Sequence, residues 1–375
     1  MNIIIVGPAY PLRGGIAHHT NLLSRALAER HSIQVITFTR QYPSLLFPGT
    51  TQKEAPGELL RVETEERLDS INPFTWITVG REIRHRNPDL IIFPYALPFF
   101  APCYATIAGI VRRGRATRTL FLCHNILPHE RHVGDKLFAR WAFAFADLFI
   151  VQSEEVRREL LALVPNAKHA LVHLPVFDMF GKGIPKDTAR QQLSIRASHV
   201  VLYFGIIRKY KGLGILLKAI HKIITGGTEK DLLLLVVGEF YDDESLYRTE
   251  VETLGIGHAV QFIPWYVPQN EVATYFSASD AVVLPYLSAS QSAIVQVAYN
   301  FDKPVISTSV GGLAEVVIDG TTGFIVPPND PDALATAIQR YYLEQKEEEF
   351  TRNIQREKKK YSWETMVTTI ESLSQ

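Results

Sequence analysis

Cysteine is scarce in this chain of 375 residues, which contains only Cys103 and Cys123. Neither belongs to a paired-cysteine motif, so the sequence excludes a disulfide framework and a cysteine-based metal or redox site. The N-terminal segment "MNIIIVG" also lacks the basic and apolar regions of a signal peptide. We therefore expect a protein of a reducing compartment, the cytosol.

A hydrophobic run that could span a membrane is missing as well. The longest run, "PYALPFFAPCYATIAGIV" at 94–111, contains Pro94, Pro98 and Pro102. Proline interrupts the interior of a helix, so this run predicts a loop followed by a buried helix.

Charge of one sign is not in excess, because 39 Lys and Arg oppose 39 Asp and Glu. Residues 1–170 nevertheless carry 20 basic against 15 acidic side chains (+5), and the remainder carries 19 against 24 (−5). This asymmetry is compatible with an anionic partner for the first half, and ordinary scatter explains it equally well. We expect no nucleic-acid partner.

Apolar runs and helical patterns alternate along the chain. The first half contains "NIIIVG", "SIQVITF", "DLIIF", "TLFLCHN" and "DLFIVQS", and the second contains "HVVLYFG", "LLLLVVGE", "AVQFI", "DAVVLPY" and "KPVIST". Runs that are apolar throughout are typical of parallel strands covered on both faces. The polar segment "FGKGIPKDTARQQLSIRAS" between the halves reads as a linker region. We predict an α/β protein with two doubly wound, Rossmann-like domains and a ligand site in the cleft between them.

The segment "LSASQSAIVQVAYNF" at 287–301 follows an apolar run and begins a predicted helix. The N-terminus of a helix offers unpaired N–H groups and a positive dipole end, which attract an anion where side chains are small. The side chains that meet this need are Ser288, Ser290, Gln291, Ser292 and Ala293. A serine N-cap without any ligand is the alternative.

A second loop places cations after a strand. "YFGIIRKYKGLGILL" carries Arg208 and Lys211 between glycines, just before another predicted helix. Cations at one strand end and helix amides at another suit a diphosphate. A solvated helix start is the alternative.

These segments together resemble a known family. In order and spacing, "GPAYPLRGGIAHHTNLLSRAL", "YFGIIRKYKGLGILLKAI", "VQFIPWYVPQNEVATYFSASDAVVLPY" and "DKPVISTSVGGLAEVVIDGTTGFIVPPND" resemble the retaining glycosyltransferases of family 4, which have the GT-B fold. The resemblance implies an acceptor-binding domain at 1–178, a donor-binding domain at 179–358 and a last helix at 359–375 that returns to the first domain. It also implies a nucleotide diphosphate sugar as co-substrate, with no metal and no other cofactor.

The resemblance also assigns roles to particular residues. Lys211 falls on the phosphate-binding lysine of the family, and Arg208 takes over from an arginine whose usual position holds Ile206. Gly14 and Gly15 fall on a glycine loop that approaches the donor. His124 falls on a histidine that contacts the transferred sugar, with a buried structural histidine as the alternative. His129–His132 either line the acceptor side or form an ordinary surface loop.

One departure from the family concerns two carboxylates. The family has two glutamates separated by seven residues, which hold sugar hydroxyls and the ribose diol, where this chain has Ser288 and Gln296. Serine and glutamine can still form neutral hydrogen bonds, which are about half as strong as charge-assisted ones. The sequence therefore predicts a glycosyltransferase, or alternatively a weak or inactive subunit that binds a nucleotide sugar or a partner enzyme.

The acceptor is left open as a glycan, a lipid-linked molecule or a small molecule. Several arginines flank the apolar run at 94–111, namely Arg81, Arg84, Arg86, Arg112, Arg113, Arg115 and Arg118. On one face they would suit an anionic membrane surface, which predicts peripheral binding at the inner face of the membrane. A solvated face with acidic partners such as Glu82 and Asp89 is the alternative.

Overall fold

The structure, a computed structural model, describes residues 1–43, 47, 49, 51–54, 62–113, 116–128, 133–227 and 231–375. The chain forms two compact units. Met1–Pro175 and Ser362–Gln375 make up the first unit, and Val176–Tyr361 makes up the second. The sequence predicts these divisions after residues 178 and 358.

The described residues form strands and helices in alternation. The strands are β1 (Asn2–Val6), β2 (Ser32–Arg40), β3 (Glu65–Asp69), β4 (Leu90–Tyr95), β5 (Arg118–Cys123), β6 (Leu148–Val151), β7 (His169–Leu171), β8 (His199–Phe204), β9 (Leu232–Val237), β10 (Val260–Ile263), β11 (Ala281–Leu284), β12 (Val305–Thr308) and β13 (Gly323–Val326). The helices are α1 (Gly15–Ala28), α2 (Pro73–Arg86), α3 (Ala101–Val111), α4 (Asp135–Phe143), α5 (Glu154–Leu163), α6 (Lys186–Gln192), α7 (Leu213–Gly226), α8 (Glu244–Thr253), α9 (Gln269–Ala278), α10 (Ala293–Asn300), α11 (Leu313–Val316), α12 (Pro331–Leu343), α13 (Glu347–Glu357) and α14 (Trp363–Leu373).

Within its described residues, the first unit contains a seven-stranded sheet in the order β3-β2-β1-β4-β5-β6-β7. Its paired strands are parallel. Every residue of β4 and β6 is buried, because helices cover both faces of the sheet. One face packs against α2, α3, α4 and α5, and the other packs against α1 and α14. The apolar runs of the first half are thus the strands that the sequence predicts.

The last helix, α14, belongs to the first unit, as predicted. Met366 and Ile370 of α14 share a buried cluster with Leu23 and Leu27 of α1. Ion pairs between Arg30 and two glutamates, Glu364 and Glu371, support the same contact at the surface. Burial of an apolar face provides most of this stabilisation, since exposed ion pairs contribute about 0–1 kcal/mol each.

The apolar run at 94–111 ends in a buried helix, as predicted. It leaves β4 at Tyr95, passes through a 3₁₀ helix at Pro98–Phe100 and continues as α3. In the described part of the chain, every helix falls short of the length and hydrophobicity that crossing a membrane requires.

The second unit contains, in its described residues, a six-stranded parallel sheet in the order β10-β9-β8-β11-β12-β13. The order runs one way from β8 to β10 and the other way from β11 to β13. The loops that follow the neighbouring strands β8 and β11 therefore leave from a topological switch point, where ligands bind in open α/β sheets. This arrangement confirms the predicted doubly wound fold.

The polar segment that the sequence analysis interpreted as a linker is part of the second unit. It contains α6, which the buried carboxylate of Asp280 anchors: Oδ1 lies 2.7 Å from Lys186 Nζ and 2.8 Å from the guanidinium of Arg190. The backbone N–H of Val200 donates to the other oxygen of Asp280 at 2.7 Å. The prediction was wrong because a surface helix held by its charged residues is as polar as a linker.

Candidate functional site

The loops after β8 and β11 pack directly against each other. A Cβ on Gly212 would lie 1.9 Å from the carbonyl oxygen of Pro285, so only glycine fits there. The φ angle of Gly212, +71°, also favours glycine. The backbone N–H of Leu287 donates to the carbonyl oxygen of Tyr210 at 2.7 Å. This contact brings the loop of Arg208 and Lys211 beside the segment that leads into α10.

Each of the two cations faces an aromatic ring. Arg208 precedes a 3₁₀ helix at Lys209–Lys211, and its guanidinium lies 5.2 Å from the ring centre of Tyr241. The ammonium of Lys211 lies 5.7 Å from the ring centre of Tyr286. Among the described residues, neither cation has an acidic partner within 4.0 Å. The site therefore holds two positive charges without a counter-ion from these residues.

The pKa of Lys211 is lowered to about 8, first by burial and then by the neighbouring charge of Arg208. An anion between the two side chains would raise this pKa and so offset burial and repulsion, because an opposite charge favours the protonated form. The cations are thus arranged so that a bound anion relieves their repulsion.

Lys211 also lies close to the first turn of α10. A Cβ on Gly205 would be 3.6 Å from Lys211 Nζ and 3.4 Å from Cδ1 of Ile294. The ammonium and the helix start therefore border the same space above Gly205. The structure thereby brings together the cations and the helix start that the sequence predicts as parts of one diphosphate site.

The serine-rich segment shapes the start of α10. Ser292 is its N-cap, and Oγ accepts a hydrogen bond from the N–H of Ile294 at 3.2 Å. The carbonyl oxygen of Ser290 accepts from the N–H of Gly312 at 2.9 Å. The remaining predicted residues here are partly exposed, namely Ser288, Gln291 and Ala293. The serine cap that the sequence analysis considered is present, and it leaves small side chains around the helix start.

Gln296, one turn into α10, is buried with 1% of its surface exposed. Its side-chain oxygen Oε1 has no hydrogen-bond partner in the described residues. A buried acceptor without a donor costs about 1–3 kcal/mol of folding free energy. Such an unsatisfied acceptor is suited to a hydroxyl group supplied by a ligand.

In the first unit, the glycine loop leads into α1. Gly14 precedes the helix with φ +109°, a conformation that residues with a Cβ rarely adopt. A Cβ at this position would meet no heavy atom within 4 Å, so the loop borders open space. Gly15 is the first residue of α1. Both glycines leave the backbone accessible to a bound molecule.

His124 directly follows β5 at the carboxyl edge of the first sheet. Its backbone N–H donates to the carbonyl oxygen of Tyr95 at 2.8 Å, and its side chain is buried. Burial lowers the pKa of His124 to about 4, although a hydrogen bond with Gln152 acts in the opposite direction. The imidazole is therefore neutral at physiological pH and can exchange a hydrogen bond without carrying charge.

Three residues around His124 were not identified by the sequence analysis. The ring of His19 lies 4.7 Å from that of His124 in an edge-to-face arrangement, and the ring of Trp363 lies 5.1 Å from His19. Nε2 of Gln152 lies 3.1 Å from Nε2 of His19. Burial and next the neighbouring His124 lower the pKa of His19 well below its usual value. His19 and Gln152 are 133 positions apart, so no local pattern could have joined them.

The predicted arginine cluster divides in two. Arg86 pairs with Glu65, Arg112 pairs with Asp147, and Arg118 donates to the backbone oxygen of Gln375. Arg81, Arg84 and Arg113 have no acidic partner among the described residues. The acids suggested from the sequence bind elsewhere: Glu82 pairs with Arg67, and Asp89 accepts from the N–H of Asn2. Arg115 and residues 129–132 lie outside the described residues.

The two cysteines are free and buried, and burial raises the pKa of both thiols. Within the described ranges, no three His, Cys, Asp or Glu side chains form a group that could hold a metal ion.

Comparison with protein families gives two matches along the chain. A model described as "Glycosyltransferase Family 4" matches residues 13–176, and one described as "Glycosyl transferases group 1" matches residues 198–344. The D-inositol 3-phosphate glycosyltransferase of Streptomyces scabiei is 30% identical over 355 residues, which cover 87% of this chain and 78% of the relative. The enzyme of that name from Corynebacterium diphtheriae is 26% identical over 204 residues, 52% of this chain. The match spans about half of that relative, 48%.

Solved structures resemble the whole chain. Sucrose-phosphate synthase of Thermosynechococcus elongatus superposes with a TM-score of 0.77 at 20% identity, covering 100% of this chain and 98% of the other. HepE of Anabaena, solved in complex with UDP, superposes with a TM-score of 0.78 at 21% identity and covers 100% of both chains. These likenesses establish the GT-B fold, and together with the sequence matches they show that this chain belongs to glycosyltransferase family 4.

Proposed function

We propose that this protein transfers a sugar from a nucleotide diphosphate sugar to an acceptor hydroxyl, with retention at the anomeric carbon. The observation that carries the proposal is the pair of cations, Arg208 and Lys211, beside the start of α10. HepE of Anabaena has been solved with UDP and with UDP-glucose, which supports the same class of donor for this chain.

In this reaction the protein must stabilise the diphosphate that leaves the sugar. Negative charge develops on the leaving oxygen, and fixed positive groups lower the barrier when they are in place before the reaction. Lys211 and Arg208 supply two charges, and the positive end of α10 adds a third, partial one. Because these groups are fixed in the fold, we expect transfer to proceed without a divalent cation.

The other predicted residues bind the two ends of the donor. In this proposal Gln296 offers its unsatisfied Oε1 to a ribose hydroxyl, and Ser288 binds a hydroxyl of the transferred sugar. On the first unit, Gly14 and Gly15 leave room for the donor, and neutral His124 exchanges a hydrogen bond with a sugar hydroxyl. A neutral ring suits this task, because an imidazolium would oppose the positive charge that develops at the anomeric carbon.

Lys211→Ala tests this assignment directly. We expect the variant to fold with an unchanged or higher melting temperature, because it removes a cation that Arg208 repels, and to lose donor turnover. Lys209→Ala is the matched control, since Lys209 is the exposed lysine of the same loop. Near-normal turnover by Lys211→Ala would remove the assignment.

The donor and the stereochemistry follow from one assay. The protein is incubated with UDP-, GDP-, ADP- and TDP-sugars in the presence of EDTA, with and without acceptors that include D-inositol 3-phosphate. Release of nucleoside diphosphate identifies the base, and NMR of the product identifies the anomeric configuration. An inverted product would contradict retention, and turnover that requires added Mg²⁺ would contradict metal independence.

A second candidate function is a subunit that binds a nucleotide sugar without transferring it. The uncharged Ser288 and Gln296, at the positions of two family glutamates, favour this candidate because neutral groups hold the sugar and ribose less strongly. Binding of a nucleotide sugar without any release of diphosphate, in every acceptor condition, would support it and contradict transfer.

A further inference from the structure

A groove of about 910 Å³ lies on the first unit between α2, α3 and α4. The elements around the groove are closely packed. A Cβ on Gly109 of α3 would lie 3.1 Å from the ring of Phe145, and a Cβ on Gly80 of α2 would lie 3.1 Å from Ile110. The groove is therefore part of the helix packing in this unit.

Four arginines line this groove. Arg81 and Arg84 extend from α2, while Arg112 and Arg113 follow the end of α3. Arg112 is held by Asp147 at 2.8 Å, whereas the other three have no acidic partner in the described part of the chain. The lining itself contains no acidic residue among those described. Several uncompensated guanidinium groups in one concave surface attract phosphate, which they bind in a bidentate manner.

Large apolar side chains continue from the arginines along the same helices. On α2, Phe74, Ile77, Arg81 and Arg84 follow the spacing of a single helix face. Phe74 is 78% exposed, and Ile77 lines the groove.

Helix α4 adds apolar side chains to this surface but no arginine that lines the groove. Leu137, Trp141 and Ala144 share one face, and Trp141 and Ala144 line the groove. Leu137 is 71% exposed and Trp141 is 44% exposed. Exposed large apolar residues grouped beside one groove indicate an interaction surface.

Phe74 and Leu137 lie at one end of this surface, whereas the arginines lie towards the other end, together with Trp141 in the last turn of α4. Each of α2, α3 and α4 connects one parallel strand to the next, so the three helices run in the same direction. Phe74 and Leu137 lie in the first turns of their helices, whereas Arg84 and Arg112 lie at helix C-terminal ends. A surface with an apolar end and a cationic end matches the interface of a lipid bilayer, where phosphate groups lie beside the hydrocarbon boundary and Trp is favoured.

We propose that this groove docks on the surface of an anionic phospholipid bilayer. The arginines bind lipid phosphates, and Phe74, Leu137 and Trp141 enter the boundary between headgroups and acyl chains. The proposal is independent of the donor site, because it involves neither α10 nor the loop of Lys211. It agrees with the net positive charge of residues 1–170.

Helix-end arginines also have a purely structural explanation. A cation near the C-terminus of a helix stabilises the helix dipole. If Arg81 and Arg84 had this role alone, replacing both would lower the melting temperature and leave membrane binding unchanged. Membrane docking therefore predicts weaker membrane binding with an unchanged melting temperature. The structural role predicts a lower melting temperature with unchanged membrane binding.

Co-sedimentation with lipid vesicles at low salt distinguishes them. The full chain is mixed with vesicles of phosphatidylcholine alone or with phosphatidylcholine containing phosphatidylglycerol. We expect binding to the anionic vesicles only, and loss of binding in 0.5 M salt because of screening. Arg81→Gln combined with Arg84→Gln should weaken binding roughly 30-fold, about fivefold for each arginine near an anionic surface, with an unchanged melting temperature.

The matched control replaces Arg157 and Arg158 of α5 by glutamine, which removes the same charge from outside the groove. An equal loss of binding in this control would overturn the groove as the docking site, as would equal binding to neutral and anionic vesicles. Trp141→Phe gives a second test. Lipids that carry a bromine quencher should quench the fluorescence of the native chain more strongly than that of this variant. Equal quenching in the two proteins would contradict insertion of Trp141.

Discussion

Nε2 of Gln152 lies 3.1 Å from Nε2 of His19, and the same side chain forms a hydrogen bond with His124. An amide nitrogen can only donate, so the nitrogen of His19 accepts and its ring is neutral. One glutamine thus links two buried histidines, and it fixes the orientation of the histidine assigned to the transferred sugar. We interpret Gln152 as a positioning residue.

Replacing Gln152 should separate positioning from folding. Gln152→Leu removes the link at similar volume, and we expect kcat to fall about tenfold to a hundredfold, as misplacement of a binding group by about 1 Å does. Gln152→Glu puts a carboxylate beside both rings and raises the pKa of His124. Activity of this variant at pH 6 should therefore fall relative to pH 8. If kcat and the pH profile of both variants match those of the native chain, Gln152 has no positioning role.

The lowered pKa of Lys211 predicts opposite pH effects on binding and stability. In the proposed function the ammonium binds the diphosphate, so we expect affinity for a nucleoside diphosphate to fall as pH rises through about 8. One pH unit above the pKa, at pH 9, the expected loss is roughly tenfold relative to the fully protonated form.

The contribution of Lys211 to folding stability increases as pH rises, whereas its contribution to nucleotide affinity falls. Between pH 8 and 10.5 the unfolded chain holds the lysine proton more tightly than the folded one, so this group adds stability as pH rises. Lys211→Met should abolish both effects. Calorimetric titration and denaturant unfolding at pH 7 and pH 9 measure them, and an affinity for nucleotide that does not change with pH would contradict the role of the ammonium.

Variants of Gln296 should separate the effect of its buried acceptor on stability from its effect on nucleotide binding. Gln296→Met removes the unsatisfied oxygen at similar size, so the melting temperature should stay constant or rise while nucleotide affinity falls. Gln296→Glu buries a carboxylate without a donor and should lower the melting temperature of the unliganded protein. Added nucleoside diphosphate should recover part of that loss, because ribose hydroxyls would then donate to the carboxylate. Unchanged nucleotide affinity in both variants would show that Gln296 does not contact the ligand.

Gly212→Ala tests the contact between the two loops of the second unit. The new Cβ would clash with the carbonyl oxygen of Pro285 at 1.9 Å, so the loop of Lys211 must move. Gly255→Ala is the control, since Gly255 has a similar φ of +68° and no heavy atom within 4 Å of its Cβ position. We expect about 1–2 kcal/mol of destabilisation from the backbone conformation in the control, and a larger loss together with loss of nucleotide binding in Gly212→Ala. Equal effects in both variants would show that the loop contact is unimportant.

The sequence was sufficient for the fold and for part of the site. Runs that are apolar throughout identify buried parallel strands, because both faces of such strands are covered. Arg208 and Lys211 follow one strand and Ser292 follows another, and parallel strands place their carboxyl ends at one edge. That rule alone was enough to predict that the cations and the start of α10 lie at the same edge of the sheet.

Contacts between side chains that are distant in sequence depend on the tertiary structure. Local patterns predict which side chains are buried, whereas the partner of a buried or charged group depends on which elements pack together. The sequence therefore missed the link between Gln152 and His19, and it misread α6 as a linker because Asp280, its anchor, lies about 90 positions away. It also suggested Glu82 as a partner for the arginines, although Glu82 binds Arg67. Only the packing of α2 against α3 leaves Arg81, Arg84 and Arg113 together without a counter-ion among the described residues.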